Sequence, residues 1–329
     1  MNILITGGAG FIGSHLCEAL ISSRHKVTII DDLSTGSLQN LSEIIDDNNF
    51  TFIRGTILDK DVFRKISGTF DIIFHLAAAV GVKYILDNPL QSIHTNVMGT
   101  ENVFEFANNK KIKVIFTSTS EVYGKNNQSF LSENDDRILG STYITRWSYS
   151  CSKALDEFIA FAYYRKYGLP VVITRLFNTC GPRQSGRYGM VIPRFIRQAL
   201  QSKPITVYGT GEQIRSFTYV SDTVEALIQL AQADHCIGEV FNIGGNEPIA
   251  IRDLAFLVKE RTKSCSEIMY VPYEEVFGIG YEDMQKRVPS IAKINYFIGF
   301  EPKVGLHEIL DKTIDYIIKE EKDSLEEKV

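Results

Sequence analysis

One tyrosine and one lysine in this chain have the spacing of a proton-transfer pair. Of the 15 tyrosines, only Tyr149 has a lysine four residues later, in the stretch YSCSK that ends at Lys153. Residues four apart lie on the same face of an α-helix, so we expect these two side chains to be neighbours. A nearby cation stabilises a phenolate, and a tyrosine of lowered pKa can take a proton from a substrate hydroxyl while hydride leaves its carbon.

A single carboxylate stands among hydroxyl groups in TSTSEVYG, residues 117–124, at the end of an apolar run. Glu121 is the one charged residue of this stretch. It could take part in the chemistry. The alternative is a structural role, in which the carboxylate pairs with a nearby arginine or caps the turn that follows.

The glycines of TGGAGFIG are spaced to bind a phosphate group. Gly7, Gly10 and Gly13 stand between an apolar strand and a helical pattern, so the backbone can approach a pyrophosphate at the helix N-terminus. Asp31 follows 18 residues after Gly13, at the end of the second strand, where a carboxylate can accept from both ribose hydroxyls. Because no arginine stands beside Asp31, the pattern favours NAD over NADP. Asp59 could reach the adenine amine or, equally, cap a helix.

Apolar runs of strand length alternate with longer stretches of helical period. This alternation predicts an α/β protein with a Rossmann-type, doubly wound parallel sheet. The glycine turn then follows the first strand, and TSTSEVYG ends the fifth. The predicted strands are 2–6, 26–31, 50–55, 71–77, 113–120 and 170–178, and the predicted helices lie near 13–24, 88–109 and 149–167.

The pattern becomes shorter and more mixed from about residue 179. A Gly- and Arg-rich loop, GPRQSGRYG, precedes a helix and the strand PITVYG. We therefore assign 1–178 to an NAD-binding Rossmann domain and 179–329 to a smaller, mixed α/β substrate-binding portion. Some of its elements are expected to return to the first domain. The last residues, KEEKDSLEEKV, have the composition of a frayed, solvated tail.

The composition favours a cytoplasmic protein that acts on small molecules. The 329 residues are 44% hydrophobic and 23% charged, which is enough to bury a large core in one or two domains. A net charge of −5 argues against nucleic-acid binding. We expect neither a secretory leader nor a membrane span, because no basic residues precede the first apolar run and no apolar run is long enough to cross a bilayer. The five scattered cysteines form no CxxC pair, so we expect reduced thiols and no metal site.

Together, these motifs resemble the extended short-chain dehydrogenase/reductase family, and in particular its nucleotide-sugar epimerases, dehydratases and decarboxylases. The resemblance implies NAD as cofactor and a nucleotide sugar, with a UDP-sugar favoured, as substrate. It extends along almost the whole chain through TGGAGFIG, HLAA at 75–78, NVMGT at 96–100, TSTSEVYG, YSCSK, RLFNTCGPR at 175–183, RSFTYVSD at 215–222 and FNIGG at 241–245.

The resemblance gives roles to the matching positions. Thr119 takes the place of the residue that hydrogen-bonds the sugar O4, Tyr149 that of the base, and Lys153 that of its activating partner, with a further ribose contact. Ser120 and Glu121 are the other catalytic candidates. The cofactor candidates are Gly7, Gly10, Phe11, Ile12, Gly13, Asp31, Asp32, Asp59, Leu76, Ala77, Asn96, Tyr149 and Lys153.

Five residues are substrate candidates by the same resemblance. Asn178 and Arg215 resemble residues that contact the nucleotide diphosphate, and Arg194, in VIPRFIRQAL, is a third candidate for that contact. GYEDMQKRVPSI at 280–291 resembles the decarboxylase domain of the bacterial polymyxin-resistance enzyme and several UDP-sugar epimerases. Tyr281 and Arg287 are therefore candidates as well. For each residue the alternative is a structural salt bridge or a capped turn.

Glu121 separates the reactions that the resemblance leaves open. A 4-epimerase oxidises C4, lets the ketone rotate and returns hydride to the other face, so Glu121 would be surplus. In a decarboxylase the 4-keto group makes the C6 carboxylate a β-keto acid, which loses carbon dioxide and leaves an enolate to be protonated at C5. Glu121 and Arg287 could manage that charge and proton.

TSE before VYG is typical of UDP-glucuronate decarboxylases and GDP-mannose dehydratases, so a UDP-glucuronate decarboxylase is the favoured assignment. A UDP-sugar 4-epimerase is the first alternative. Dehydratases of the dTDP-glucose type usually carry Asp where this chain has Ser120, which disfavours that reaction. A non-catalytic NAD-binding scaffold is an alternative of another class, but it would be expected to have lost Thr119, Tyr149 or Lys153.

The resemblance also implies a homodimer built from a four-helix interface. The helices near 88–109 and 149–167 carry apolar residues on more than one face. One such face could bind a second copy of the chain. Alternatively, these side chains could pack in the interior of the monomer. The residues concerned are Val103, Phe104, Phe158, Phe161 and Tyr164.

Overall fold

The computed structural model describes residues 1–66, 68–186, 189–278 and 280–326. Its strands are two to seven residues long. They are β1 (Asn2–Thr6), β2 (Lys26–Asp31), β3 (Phe50–Arg54), β4 (Ile72–His75), β5 (Lys113–Thr119), β6 (Val171–Leu176), β7 (Thr179–Cys180), β8 (Ile205–Tyr208), β9 (Ile214–Ser216), β10 (Thr218–Tyr219), β11 (Val240–Ile243), β12 (Pro248–Ala250), β13 (Ile268–Val271) and β14 (Lys286–Arg287).

The α-helices vary from about one turn to about six turns. None in the described part of the chain is long and apolar enough to cross a membrane. They are α1 (Phe11–Ser22), α2 (Lys60–Arg64), α3 (Val82–Asp87), α4 (Pro89–Lys110), α5 (Trp147–Tyr167), α6 (Val191–Leu200), α7 (Val220–Gln232), α8 (Ile251–Arg261), α9 (Tyr273–Phe277), α10 (Ala292–Ile298) and α11 (Leu306–Glu326).

The main sheet has seven strands, all parallel, in the order β11-β6-β5-β4-β1-β2-β3. Successive side chains of β1 enter opposite cores, because side chains alternate along a strand. Ile3 and Ile5 pack on the side of α1 and α7, and Leu4 packs on the side of α4 and α5. Both faces of the sheet are therefore covered, which confirms the predicted doubly wound α/β fold.

The predicted strands and helices of the first 178 residues are all present, with ends that differ by a few residues. One main-sheet strand comes from later in the chain. Val240 of β11 pairs with Ile173 of β6. The large sheet therefore draws on both sides of residue 178, and the domain boundary at that residue stays a prediction.

The C-terminal elements form a smaller mixed layer beside the main sheet. β12, β9 and β14 form a three-stranded sheet, and β8, the predicted strand PITVYG, pairs with β13. The core of this layer joins α6, α8 and α11 through buried residues that include Phe195, Leu254 and Leu310. In the predicted Gly- and Arg-rich loop, residues 187 and 188 lie outside the described residues.

The C-terminal segment differs from the frayed tail that its composition suggested. α11 extends to Glu326, and residues 327–329 lie outside the described residues. Buried Leu310, Ile314 and Ile317 recur at helical spacing and attach one face of α11 to the protein. Glu320 then pairs with Arg197 at 2.5 Å. Charge composition alone missed this helix because its apolar anchors lie just before the charged run.

Candidate active site

The turn between β1 and α1 is a cradle of backbone atoms. Gly7 has a φ of +76°, and a Cβ atom on it would lie 2.7 Å from the backbone nitrogen of Ala77. A Cβ atom on Gly13 would lie 2.2 Å from the carbonyl oxygen of Gly7. Gly10 caps α1 without any side-chain hydrogen bond, so the first N–H groups of the helix remain available to an anion. The cradle fits the pyrophosphate of a dinucleotide.

Asp31 ends β2 next to this cradle. Its buried carboxylate accepts hydrogen bonds from the backbone N–H groups of Ala9 at 2.9 Å and Leu33 at 2.8 Å. Burial raises the pKa of the Asp31 carboxyl, and these two hydrogen bonds oppose the rise. Each carboxylate oxygen can accept a second hydrogen bond. Asp31 therefore retains the capacity to bind ribose hydroxyls.

Two other acidic cofactor candidates make local contacts. Asp59 is the N-cap of α2, where Oδ1 accepts from the Asp61 N–H at 2.9 Å. This is the structural alternative that the sequence allowed. Asp32 is exposed and accepts from the Ser34 N–H at 2.9 Å. Cofactor binding by either carboxylate stays a prediction.

Asn96 lies on α4 and is fully buried at the carboxyl end of β4. Its amide accepts from the Ala79 N–H at 2.8 Å and donates to Ser152 Oγ at 3.3 Å. Asn96 thus ties the loop after β4 to α5 and positions both beside the cradle. The remaining cofactor candidates are half-buried residues at the same edge of the sheet, namely Phe11 and Ile12 at the start of α1 and Leu76 and Ala77 after β4.

The predicted proton-transfer residues meet where β5 and α5 face each other. Thr119 ends β5, and its hydroxyl hydrogen-bonds the Tyr149 hydroxyl. Burial and the charge of Glu121 raise the pKa of Tyr149, whereas the Thr119 hydrogen bond lowers it. The lowered pKa that the Tyr149–Lys153 spacing predicted is therefore not found in the free protein, because burial outweighs the favourable contacts. Lys153 is buried on the same helix, and its ammonium forms an ion pair with Asp156 at 3.3 Å. Ser120 is buried in the turn that follows β5.

Glu121 is held by two arginines. Arg146 donates two hydrogen bonds to its carboxylate, one of them from Nη2 to Oε1 at 3.0 Å. Arg287 Nη1 donates to the same Oε1 at 3.1 Å. Burial raises the pKa of Glu121, but the charges of Arg146 and Arg287 overcome this and hold the pKa below its usual value. Glu121 is therefore ionised at neutral pH and paired with two arginines, and its part in the chemistry stays a prediction.

Asp283 extends this cluster. Its carboxylate lies 3.0 Å from Arg215 Nη2 and 3.6 Å from Arg146 Nη2. Parallel pairing of β14 with β9 places Arg287 directly beside Arg215. Burial and the charge of Arg215 lower the pKa of Arg287 to about 10, so it remains charged at neutral pH. Three arginines against the carboxylates of Glu121 and Asp283 leave one positive charge in excess, which suits an anionic ligand.

Two substrate candidates contact this cluster directly. Arg146 Nε donates to the Tyr281 hydroxyl at 3.2 Å, and Arg287 Nη2 donates to Asn178 Oδ1 at 2.8 Å. The Asn178 amide also donates to the Ser216 carbonyl at 2.8 Å. Both residues therefore support the arginines, and their contact with a substrate stays a prediction.

A cavity of about 160 Å³ lies beside the charge cluster, and Arg194 lines it. Its Nη1 donates to Thr206 Oγ1 at 2.7 Å, and its guanidinium lies 3.7 Å from the centre of the Tyr208 ring. Its Nε is buried and has no hydrogen-bond partner among the described residues. Glu121, Arg146, Arg215 and Arg287 line the same cavity, so the structure brings Arg194 together with the other charged candidates.

The sequence analysis missed Arg146 and Asp283. Arg146 stands three residues before Tyr149, immediately before α5, so helical spacing could have placed it next to the active tyrosine. Asp283 stands four residues before Arg287 in the segment already singled out. No local pattern showed that its partner would be Arg215, 68 residues away.

A family model described as GDP-mannose 4,6 dehydratase matches residues 4–313. A UDP-N-acetyl-α-D-glucosaminuronate decarboxylase from Bacillus cytotoxicus is 44% identical over 97% of this chain and 98% of its own length. UDP-glucuronic acid decarboxylase 1 of Danio rerio is 37% identical over 97% of this chain and 73% of that protein. The structure of a Bacillus cereus UDP-glucuronic acid 4-epimerase with UDP-glucuronic acid and NAD superimposes with a TM-score of 0.86, at 30% identity over 97% and 99% of the two chains.

A doubly wound sheet that carries a dinucleotide cradle after its first strand, with Thr119 at the end of β5 facing buried Tyr149 and Lys153 of α5, defines a short-chain dehydrogenase/reductase. The likenesses agree with this class over nearly the whole chain. The protein belongs to the extended short-chain dehydrogenase/reductase family of nucleotide-sugar decarboxylases, epimerases and dehydratases. It is an enzyme, and its cofactor is NAD. The predicted family, enzyme class and cofactor are thereby confirmed.

Proposed function

We propose that this enzyme decarboxylates a UDP-linked hexuronic acid through a 4-keto intermediate. The observation that carries the proposal is the Glu121 carboxylate held between Arg146 and Arg287, beside the Thr119–Tyr149 pair. Inversion of configuration at C4 of a neutral sugar requires no charged side chains of this kind. A uronic acid brings its own carboxylate to C5, where cations can bind it and a proton must later be delivered.

Arg287 is the arginine suited to the substrate carboxylate. It donates a single hydrogen bond to Glu121, at 3.1 Å, whereas Arg146 donates two. An incoming carboxylate can therefore replace Glu121 on Arg287 while Arg146 keeps Glu121 in place. The excess positive charge of the cluster favours this exchange, and Arg194 and Arg215 remain for the diphosphate.

Tyr149 accepts the proton of the O4 hydroxyl, which requires its pKa to fall from the raised value of the free protein, and Thr119 orients that oxygen. When bound, NAD supplies the redox chemistry by accepting hydride from C4 and later returning it. Once C4 is a ketone, the C5–C6 bond breaks and carbon dioxide leaves. The electron pair of that bond becomes the C4–C5 enolate, which is then protonated at C5.

Glu121 can deliver this proton after the substrate has bound. In the free protein its pKa is held low by two cations, so it carries no proton at neutral pH. When Arg287 turns to the substrate carboxylate, Glu121 loses one of these cations and its pKa rises. It can then take up a proton from water and pass it to C5.

The names of the relatives support two related compounds as candidate substrates. The Bacillus cytotoxicus relative is named for UDP-N-acetyl-glucosaminuronate and the Danio rerio relative for UDP-glucuronate. These compounds share the UDP group and the C6 carboxylate and differ at C2. The higher identity to the Bacillus protein favours the N-acetylated substrate for this chain, although the sequence motifs alone pointed to UDP-glucuronate.

The test is to incubate the pure protein and NAD with each uronate, and with UDP-glucose and UDP-N-acetylglucosamine, in heavy water. We expect carbon dioxide from a uronate and no reaction of the two neutral sugars. NMR should show one deuterium at C5 of the product. Inversion at C4 without carbon dioxide and without deuterium would instead support a 4-epimerase, the reaction of the Bacillus cereus neighbour.

Glu121→Gln tests the role of the carboxylate, because the amide keeps the shape and loses the acid. In a decarboxylase it should abolish C5 deuteration, while a 4-keto sugar still forms and can be detected by NMR. In a 4-epimerase turnover should stay within about tenfold, since a lost polar contact costs about 1 kcal/mol. Glu282→Gln is the matched control, because Glu282 pairs with Lys125 at the rim of the cluster.

The family likeness also leads us to propose a homodimer through α4 and α5. Val103 and Phe104, two of the predicted interface residues, are fully buried in the monomer core, so they are not available to a partner. Leu90, Met98 and Phe158 are exposed on the two helices, and they provide an apolar face. Phe161 and Tyr164 are half-buried.

Light scattering on the protein eluted from a size-exclusion column should show a dimer at micromolar concentration. Phe158→Glu should shift the protein towards the monomer, because it places a charge within the apolar face. Phe256→Glu is the control, since Phe256 is similarly exposed but lies on α8. A monomeric wild-type protein would contradict the proposed interface.

A further inference from the structure

Asp156 is a buried carboxylate beside the lysine of the active site. It follows Lys153 by three residues on α5, and the side chains are 0% and 2% exposed. Its Oδ2 lies 3.3 Å from the Lys153 ammonium. Neither carboxylate oxygen makes a well-formed hydrogen bond within the described residues, so the ammonium is its principal partner.

Each member of this pair keeps the other charged. Burial lowers the pKa of Lys153, and the Asp156 charge opposes that fall. Burial raises the pKa of Asp156 to about 6, and the Lys153 charge and the Thr100 hydroxyl oppose that rise. A buried ammonium without a counter-ion loses its proton readily, because a low-dielectric site destabilises the charged form.

Glu157 is the other anion that faces Lys153, but it has partners of its own. Arg175 donates to its two carboxylate oxygens at 3.0 and 2.7 Å, and the Ser118 hydroxyl donates to it at 2.5 Å. The charge of Glu157 is therefore balanced by Arg175. Asp156 is left as the counter-ion of Lys153.

His75 of β4 also faces Lys153. Burial and the Lys153 charge lower the pKa of His75, so its ring is neutral. Its nitrogens are 2.7 Å from Thr6 Oγ1 and 2.9 Å from Thr100 Oγ1. These contacts connect the Asp156–Lys153 pair, through Thr100 and His75, to Thr6, the residue before Gly7.

Tyr149 is the third titratable group near the pair. Burial and the charges of Glu121 and Asp156 raise its pKa, and the Thr119 hydrogen bond and the charge of Arg146 lower it. Lys153 follows Tyr149 by four residues on the same face of α5, so loss of its charge would add to the cost of a Tyr149 phenolate. The protonation of Lys153 is therefore coupled to the proton acceptor of the reaction.

We propose that Asp156 is a positioning residue that keeps the Lys153 ammonium charged and directed, and thereby sets the pH range in which Tyr149 acts. The inference rests on the proposed roles of Tyr149 and Lys153. It does not depend on whether the reaction is decarboxylation or epimerisation, because both begin with the same proton transfer.

The direct test is an NMR titration of Lys153 in protein with ¹³C-labelled lysine, without substrate, with the signal assigned by Lys153→Met. In Asp156→Asn the titration midpoint of Lys153 should fall by about one to three pH units. The alkaline limb of kcat/KM should move in the same direction, with kcat changing more than KM. If Asp156 had only a structural role, Asp156→Asn would move neither the Lys153 midpoint nor the alkaline limb of kcat/KM.

The reciprocal measurement keeps the proposal testable if Asp156→Asn does not fold. In Lys153→Met the midpoint of the Asp156 carboxyl should rise from about 6, because coupling between two sites is mutual. Asp222→Asn is the matched control, since Asp222 is also a buried carboxyl but binds the backbone N–H groups of Lys303 and Val304. An unchanged Lys153 midpoint in Asp156→Asn, or an unchanged Asp156 midpoint in Lys153→Met, would overturn the proposal.

Discussion

The cofactor end and the sugar end of the active site are built in different ways. The cofactor end is a turn of eight consecutive residues, 6–13, in which glycines bring backbone atoms together. The sugar end takes Glu121 from the end of β5, Arg146 from the start of α5, Arg215 from β9, and Asp283 and Arg287 from the segment around β14. One end works through shape and free N–H groups, and the other through buried charges.

This difference determines how each end responds to change. A backbone cradle tolerates neighbouring substitutions as long as its glycines and its carboxylate remain. A buried charge cluster is strongly coupled, because each member has been removed from water and depends on its partners. Substitutions at the sugar end should therefore affect folding and catalysis together, whereas those at the cofactor end should affect mainly cofactor binding.

Arg146→Lys should have the largest effect. Lysine keeps the positive charge but lacks the planar fork through which Arg146 donates two hydrogen bonds to Glu121 and one to Tyr281, so the buried carboxylate loses its bidentate partner. We expect a loss of about 3 to 5 kcal/mol in the free energy of unfolding, measured in urea, and a severe loss of turnover. Arg252→Lys, in an exposed pair, should change stability by less than about 1 kcal/mol. Equal effects in the two variants would contradict the coupled cluster.

Asp31→Ala should come next and should act mainly on the cofactor. Removing the carboxylate weakens NAD binding and reduces the preference for NAD over NADP, because Asp31 would also repel a 2′-phosphate. Calorimetry should show a loss of about 1.5 to 3 kcal/mol in NAD binding. Asp47→Ala, which removes an exposed carboxylate that accepts from Asn49 N–H, is the control. Unchanged discrimination in Asp31→Ala would remove it from the cofactor site.

Acid should weaken the sugar end. The pKa of Glu121 is lowered in the folded protein, so its contribution to stability is present above its unfolded pKa of about 4.3 and is lost as the pH falls through the lower, folded pKa. Each pKa unit corresponds to about 1.4 kcal/mol. In urea titrations the stability difference between wild type and Glu121→Gln should be constant from pH 7 to 5 and shrink below about 4. A constant difference down to pH 3 would show that the charge of Glu121 is not responsible.

Asp59→Ala should have the smallest effect. Its Oδ1 caps α2 through the Asp61 N–H, and loss of such a cap costs about 1 kcal/mol in the free energy of unfolding. The NAD dissociation constant of the same variant tests the second role that the sequence suggested. A weaker affinity would add Asp59 to the cofactor site, and an unchanged affinity would leave it as a helix cap.

The sequence predicted the fold because the relevant information is local. Ile3, Leu4 and Ile5 alternate between two cores, and an apolar run of this kind indicates a strand covered on both faces. The spacing of Gly7, Gly10 and Gly13 and the position of Asp31 likewise predicted the cradle, since a turn and the strand next to it are settled over short stretches of chain. The pair Tyr149 and Lys153 followed from the pitch of one helix.

The sequence could not show what surrounds Glu121 and Lys153. Arg146 and Arg287 lie 25 and 166 residues from Glu121 along the chain, and only the packing of β14 against β9 brings Arg287 into reach. The sequence shows that Asp156 follows Lys153 by three residues, but it does not show that Asp156 is buried. Ion pairing and pKa depend on distance and on removal from water, and both are set by the tertiary structure. The sequence by itself determined which groups were available, and the tertiary structure decided which of them are charged and paired.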